Sequence, residues 1–123
     1  MIVGIGVDIV DVQRWTAMAT RTPGLIDRTL TDTERVDAGG RARTAESLAA
    51  RFAVKEAVAK ALGSPAGLAW HDCVVEQTES GQPTVRLLGS VAGAASQLGI
   101  DRWHVSISHD AALAIAYVVA ESL

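Results

Sequence analysis

Hydrophobic and polar residues follow each other along the chain in a pattern that predicts five strands and four helices. Short β-branched runs favour strands, and apolar residues spaced three or four positions apart favour helices. Hairpins join most of the predicted strands, which indicates an α+β fold with a largely antiparallel sheet packed on a long central helix. The strands are predicted at residues 1–9, 73–78, 84–88, 103–108 and 112–119, and the helices at residues 11–22, 31–38, 44–62 and 90–98.

Capping signals set the predicted starts of these helices. Asp11, Thr44 and Ser90 each stand where a side-chain oxygen can accept the free N–H groups of a first helical turn. Residues 31–34 read Thr-Asp-Thr-Glu, which is a capping box. We expect the turn between the last two strands at residues 109–110.

The central helix has an unusual polar face. At about 100° per residue, Phe52, Glu56 and Lys60 share one stripe, opposite an apolar face. A surface helix normally presents solvated groups there. The stripe therefore packs against another element or lines a site. The simpler interpretation of Glu56 and Lys60 is an ordinary i,i+4 ion pair, which contributes about 0.3 kcal/mol.

The first strand carries a second candidate feature. Side chains alternate along a strand, so Ile2, Gly4, Gly6 and Asp8 share a face. The glycines leave a bare strip before the carboxylate, which a ligand or metal could use. The favoured interpretation is simpler: the glycines accommodate a neighbouring helix, and Asp8 begins the turn into the first helix.

Length and composition narrow the class of protein. The chain has 123 residues, so we expect one domain spanning residues 1–123, and 49% are hydrophobic, enough for a core of small aliphatic side chains. A net charge of −3 argues against nucleic acid as the main partner. Cys73 is the single cysteine, which suits a reducing cytoplasm. The N-terminus lacks the basic residues of a signal peptide, and no apolar run is long enough to span a bilayer.

Asp8 and Glu56 are candidate ligands of a hard cation, because Mg²⁺ usually takes one or two protein carboxylates and completes its shell with phosphate oxygens and water. Lys60 and Arg51 would then balance phosphate charge. His109, alone near a turn, is interpreted first as a surface or packing residue. The other histidines and Cys73 lack zinc-site spacing, and no phosphate-binding P-loop is present.

Three stretches, in this order and spacing, resemble one family. They are GIGVDIVDVQR at residues 4–14, RFAVKEAVAKALG at 51–63 and VSISHD at 105–110. Together they are similar to holo-acyl-carrier-protein synthases, the small bacterial 4′-phosphopantetheinyl transferases. The resemblance implies transfer of 4′-phosphopantetheine from coenzyme A to a serine of apo acyl carrier protein, with release of adenosine 3′,5′-bisphosphate.

The resemblance also implies roles for particular residues. Asp8 and Glu56 would bind Mg²⁺, with Mn²⁺ as a possible substitute, and Lys60 would act with them in catalysis. Coenzyme A would contact a larger set: Arg51, Lys60, Gly63, Ser64, Pro83 and His109. The base that takes the serine proton is left open between a metal-bound water and a nearby carboxylate.

The family resemblance implies a homotrimer with active sites between subunits, and the small, Ala-rich chain favours such an assembly. In the family, basic residues of the first helix bind the acidic carrier. Here Arg14, Arg21 and Arg28 occupy residues 12–30 against only Asp27, so we expect them to form the docking face.

The sequence departs from the family in the GSPAG loop at residues 63–67, where Pro65 restricts the backbone, and in the connection around residues 39–40. Two alternatives are a coenzyme A thioester hydrolase and a non-catalytic carrier-binding subunit of similar fold. Retention of Asp8, Glu56 and Lys60 together argues against the second.

Overall fold

The computed structural model describes residues 1–123 and contains the five predicted strands and four α-helices, three of which correspond to predicted helices. Strands β1, β5 and β4 form one sheet in that order, β2 and β3 form a second, and all neighbours are antiparallel. The prediction of an α+β, largely antiparallel fold is confirmed. The elements are β1 (Ile2–Asp11), α1 (Val12–Arg21), α2 (Leu25–Thr29), α3 (Ala45–Ala61), β2 (Cys73–Gln77), β3 (Pro83–Leu87), α4 (Gly89–Gln97), β4 (Arg102–Asp110) and β5 (Leu113–Glu121).

Helix α3 lies against the three-stranded sheet, and small residues let the two backbones come close. Ala57 of the helix and Ala116 of β5 are fully buried in the core. A Cβ atom placed on Gly4 or Gly6 would overlap the carbonyl oxygen of Ala61 or Ala57. The strip of glycines on β1 therefore accommodates a helix, as the favoured interpretation states, and it is not open to a ligand.

Strand β1 continues past the predicted end, because its ladder with β5 runs on to the pairing of Asp11 with Leu113. Asp8 consequently lies within the strand, and the interpretation that it begins the turn is wrong. Asp11 makes the predicted cap: its Oδ1 accepts the backbone N–H of Arg14 at 3.0 Å.

Two other predicted boundaries need correction. The turn between β4 and β5 is formed by Ala111 and Ala112, both at positive φ (49° and 62°), so His109 stays inside β4. Ser90 does not cap α4: it lies in the first turn, and its N–H and hydroxyl donate to Asp72 at 2.8 and 2.7 Å. Asp72, from an earlier segment, does the capping instead.

The short helix after the capping box is a 3₁₀ turn at Asp32–Arg35, and the backbone N–H of Thr31 donates to Glu34 at 2.8 Å as predicted. Helix α2 was not predicted, because its five residues are too few to show helical spacing. No helix is both long and apolar enough to cross a bilayer.

The sheet face turned away from α3 carries a row of exposed apolar side chains, which we call the apolar sheet face. Ile5, Val7 and Ile9 of β1 are 53%, 45% and 61% exposed, and Val7 pairs with the exposed Tyr117 of β5. A contiguous apolar surface of this kind usually marks a contact with another molecule.

Candidate functional site

Two carboxylates from separate elements meet beside the central helix. Asp8 of β1 and Glu56 of α3 line one surface cavity. Burial raises the pKa of the Glu56 carboxyl, the negative charge of Asp8 raises that pKa further, and Lys60 opposes both effects. The negative charge of Asp8 therefore disfavours the ionised form of Glu56, and a cation between the two carboxylates would relieve that repulsion.

The donor set suits a hard divalent cation. Carboxylate oxygens are the ligands that Mg²⁺ and Mn²⁺ prefer, and Mg²⁺ commonly uses only one or two of them from the protein. The chain has no cluster of three or more His, Cys, Asp or Glu side chains at metal-binding distance. Asp8 and Glu56 could thus supply part of a coordination shell, and phosphate and water would supply the rest.

Lys60 does not form the i,i+4 pair with Glu56 that the simple interpretation expects. Its Nζ instead donates to Oδ1 of Asp8 and to the carbonyl oxygen of Val7, each at 3.0 Å. The long side chain crosses from α3 to β1, because the glycines bring the two backbones together. The three predicted catalytic residues Asp8, Glu56 and Lys60 therefore lie in one place.

Phe52 explains the unusual polar face of α3. Its ring packs edge-on between Trp15 and Trp70, with centroid distances of 6.1 and 5.1 Å. The part of the stripe that carries Phe52 and Glu56 is thus a second, partly buried face of the helix, and Lys60 lies at its exposed end. Its aromatic part adjoins the carboxylates, since Trp15 and Phe52 line the cavity that contains Asp8 and Glu56.

A second cavity contains three of the residues expected to bind coenzyme A. Arg51, Pro83 and His109 line it, and Glu46 contributes a carboxylate whose Oε1 is 3.9 Å from Nε2 of His109. His109 faces this cavity from the end of β4 and is partly exposed. The interpretation of His109 as an isolated surface residue is therefore incomplete.

Arg43 lies next to Arg51 and contacts Ser47, which lines this cavity, and the sequence reasoning missed it. Nη1 of Arg51 donates to the Ser47 hydroxyl at 3.0 Å, and Nη1 of Arg43 approaches the same oxygen at 3.4 Å. Burial lowers the pKa of Arg51 to about 10, and the charge of Arg43 lowers it too. The Nε atoms of both arginines are buried without a partner. Adjacent guanidiniums with unused donors favour a highly charged anion.

Gly63 and Ser64 lie at the end of α3, apart from the cavity lined by Arg51, Pro83 and His109, which we call the arginine cavity. Both have positive φ, and their N–H groups donate to the carbonyls of Lys60 and Ala59 at 3.0 and 2.8 Å. These amides are therefore used in ending the helix, and the Ser64 hydroxyl is the remaining donor. Ser64 lines a third cavity, which it shares with Glu56.

The three arginines expected to bind the carrier are all exposed. Arg14 lines the cavity of Asp8 and Glu56, whereas Arg21 ends α1 and Arg28 lies in α2. None of them forms an ion pair within 4.0 Å, and nearby Asp27 is paired with Arg35 at 2.6 Å. Their charge is therefore available to an acidic partner.

Sequence reasoning also missed a buried ion pair next to the site. Nζ of Lys55 lies 2.7 Å from Oε1 of Glu34, and the two side chains are 1% and 0% exposed. The same ammonium donates to the carbonyl of Trp70, and Oε2 of Glu34 accepts the N–H of Val75. The sequence does contain one indication of this pair. Lys55 lies three positions before Val58 on the same side of the helix, and Val58 is buried, so the lysine was a candidate for burial.

Comparison with known proteins gives a consistent result. Residues 4–117 match the 4′-phosphopantetheinyl transferase superfamily. The chain is 54% identical over 121 residues to the holo-[acyl-carrier-protein] synthase of Salinispora arenicola, covering 98% of this chain and 99% of that protein. The solved holo-[acyl-carrier-protein] synthase of Neisseria meningitidis superposes with a TM-score of 0.87 at 30% identity, covering 99% of this chain and 100% of that one. The Helicobacter pylori enzyme in complex with coenzyme A gives a TM-score of 0.79 at 31% identity, covering 95% and 99%.

Proposed function

Because the chain belongs to the 4′-phosphopantetheinyl transferase superfamily, we propose that residues 1–123 form a single domain that transfers 4′-phosphopantetheine from coenzyme A to apo acyl carrier protein. The acceptor is a serine hydroxyl, and adenosine 3′,5′-bisphosphate is released. The observation that carries the proposal is the meeting of Asp8, Glu56 and Lys60 between β1 and α3. A solved relative that is 31% identical binds coenzyme A.

Asp8 and Glu56 would hold Mg²⁺, or Mn²⁺ in its place. When bound, the metal would neutralise phosphate charge and stabilise the charge that develops on the leaving group. Phosphoryl transfer depends chiefly on positioning and on charge neutralisation, so two carboxylates that hold a divalent metal, together with one ammonium, would be sufficient in kind. Lys60 would contribute its positive charge to the pyrophosphate, and the Ser64 hydroxyl could donate beside it.

The nucleotide end of coenzyme A would occupy the arginine cavity. Arg51 and Arg43 together present two positive charges, which match the double charge of a phosphate monoester. His109 and Pro83 border the same cavity from β4 and β3. The nucleotide would then lie at the start of α3, and the reacting phosphate would lie near Glu56, further along the same helix.

We also propose a homotrimer in which the apolar sheet face is covered by other copies of the chain. The support is the exposure of Ile5, Val7 and Ile9 on the edge strand β1, beside the exposed Tyr117 of the central strand β5. Sedimentation equilibrium at micromolar concentration should report three chains. Val7→Glu should yield monomers, whereas Val36→Glu, at a similarly exposed valine outside the sheet, should leave the trimer intact.

The transferase proposal is tested by removing each ligand in turn. Asp8→Asn and Glu56→Gln should each lower kcat by roughly 100-fold or more while the circular dichroism spectrum stays native. Glu76→Gln is the matched control, because Glu76 is an exposed carboxylate whose only ion pair, with Arg86, is on the surface. Near-normal rates for either ligand variant at modest Mg²⁺ would remove the metal assignment. Metal-independent cleavage of acyl-coenzyme A would favour a thioester hydrolase instead.

A further inference from the structure

Lys60 is already bonded to one of the two proposed metal ligands. Its Nζ lies 3.0 Å from Oδ1 of Asp8, and the carbonyl oxygen of Val7 accepts a second hydrogen bond at the same distance. Glu56 has no basic partner within 4.0 Å. In the free protein the ammonium therefore occupies one end of the carboxylate pair as an internal cation.

A divalent cation and this ammonium cannot share Asp8 without strong repulsion. Like charges within a few ångströms of each other, in a partly buried site, are poorly screened by solvent. A metal held by Asp8 and Glu56 would therefore bind Asp8 at the expense of the contact between Asp8 and Lys60.

Lys60 is free to move, in contrast to its neighbour Lys55 on the same helix. The Lys60 side chain is 49% exposed and its other bond is to a single strand carbonyl, whereas the Lys55 side chain is 1% exposed and fixed to Glu34. The flexible stem of a lysine allows the ammonium to leave Asp8 by rotation of its own side chain, without a backbone rearrangement.

Resting on the proposed function, we infer that Lys60 is a resident counter-cation that holds Asp8 in the free protein and is displaced when the metal binds. The displaced ammonium is then available to the phosphates of the coenzyme. Metal and coenzyme consequently assist each other's binding, and the assistance is reciprocal, as linkage requires. Lys60 thereby opposes metal binding in the absence of coenzyme.

The test is the affinity of the coenzyme-free protein for Mn²⁺, followed by electron paramagnetic resonance of the unbound ion. Lys60→Met should bind Mn²⁺ about tenfold more tightly than the wild type, because the competing charge is gone. Lys60→Arg should stay close to the wild type, since it keeps the charge. Arg86→Met is the control, because it removes an exposed positive charge from β3 and should change nothing.

A second readout is the effect of Mn²⁺ on coenzyme A affinity, measured by calorimetry. The increase in coenzyme A affinity on adding Mn²⁺ should be smaller in Lys60→Met than in the wild type, since no ammonium is released. Equal or weaker Mn²⁺ binding by Lys60→Met would overturn the inference while leaving the transferase proposal standing. Absence of Mn²⁺ binding in every variant would refute the metal assignment, and the inference with it.

Discussion

Replacing Lys55 with methionine would remove the positive half of the buried pair that joins α3 to the 3₁₀ turn and β2. Glu34 would keep its bonds from the N–H groups of Thr31 and Val75, but its charge would remain buried without a cation. Methionine fills nearly the same space as the lysine stem, so the substitution changes charge much more than packing.

The expected cost is large compared with that of a surface pair. Breaking a buried ion pair by removing one partner typically costs about 3–5 kcal/mol, whereas an exposed pair such as Arg86–Glu76 contributes about 0–1 kcal/mol. A domain of this size is stable by roughly 5–15 kcal/mol in total. Lys55→Met should therefore remove a fifth or more of the stability, and Arg86→Met should remove almost none.

The measurement is urea unfolding followed by circular dichroism, at one fixed protein concentration because assembly would contribute to stability. A double-mutant cycle with Glu34→Gln isolates the pair, because glutamine keeps an acceptor oxygen and removes the charge. Adding Glu34→Gln to Lys55→Met should restore part of the loss, with a coupling energy of about 0.5–3 kcal/mol. A loss below about 1 kcal/mol for Lys55→Met, or strict additivity in the cycle, would refute this account of the pair.

Three further predictions address packing, reactivity and docking. Gly6→Ala should destabilise the protein by about 1–3 kcal/mol or more in urea unfolding, because the new Cβ would overlap the carbonyl oxygen of Ala57. Gly93→Ala is the control: it lies on the open face of α4, and the substitution should stabilise the protein slightly. Burial raises the pKa of Cys73 to about 12, so the native thiol should resist iodoacetamide at pH 9 and react once the chain is unfolded. The stability of the wild type relative to Cys73→Ala should fall as pH rises from about 9 towards 12, since the unfolded thiol ionises first. Arg14→Glu should raise KM for the carrier but leave KM for coenzyme A unchanged, and added salt should raise the carrier KM of the wild type in the same way. An equal rise in both KM values would place Arg14 in the coenzyme site.

The sequence was informative where chemistry and spacing are local. The alternation in β1 and the period of α3 predict both elements, and they place Asp8 on the glycine face of the strand and Glu56 on the same stripe as Phe52 and Lys60. The cap at Asp11 and the capping box at Thr31 also depend only on neighbours three residues away, and the structure contains both.

The features that the sequence did not predict depend on contacts between distant residues. Asp72 caps α4 from 18 residues away, and Lys55 pairs with Glu34 across 21 residues. Arg51, Pro83 and His109 line one cavity only because the fold brings α3, β3 and β4 together. The turn at residues 111–112 lacks the Asn-Gly or Asp-Gly signal that positive φ usually requires, so the strand boundary was misplaced.

The most direct test of the central claim is mass spectrometry of an apo acyl carrier protein incubated with this protein, coenzyme A and Mg²⁺. The carrier should gain the mass of one 4′-phosphopantetheine group, and the gain should disappear without metal or with Glu56→Gln. An unchanged carrier mass with the wild-type protein, at concentrations where coenzyme A binding is demonstrated, would contradict the account. A full mass gain in the presence of a metal chelator would contradict the roles of Asp8 and Glu56.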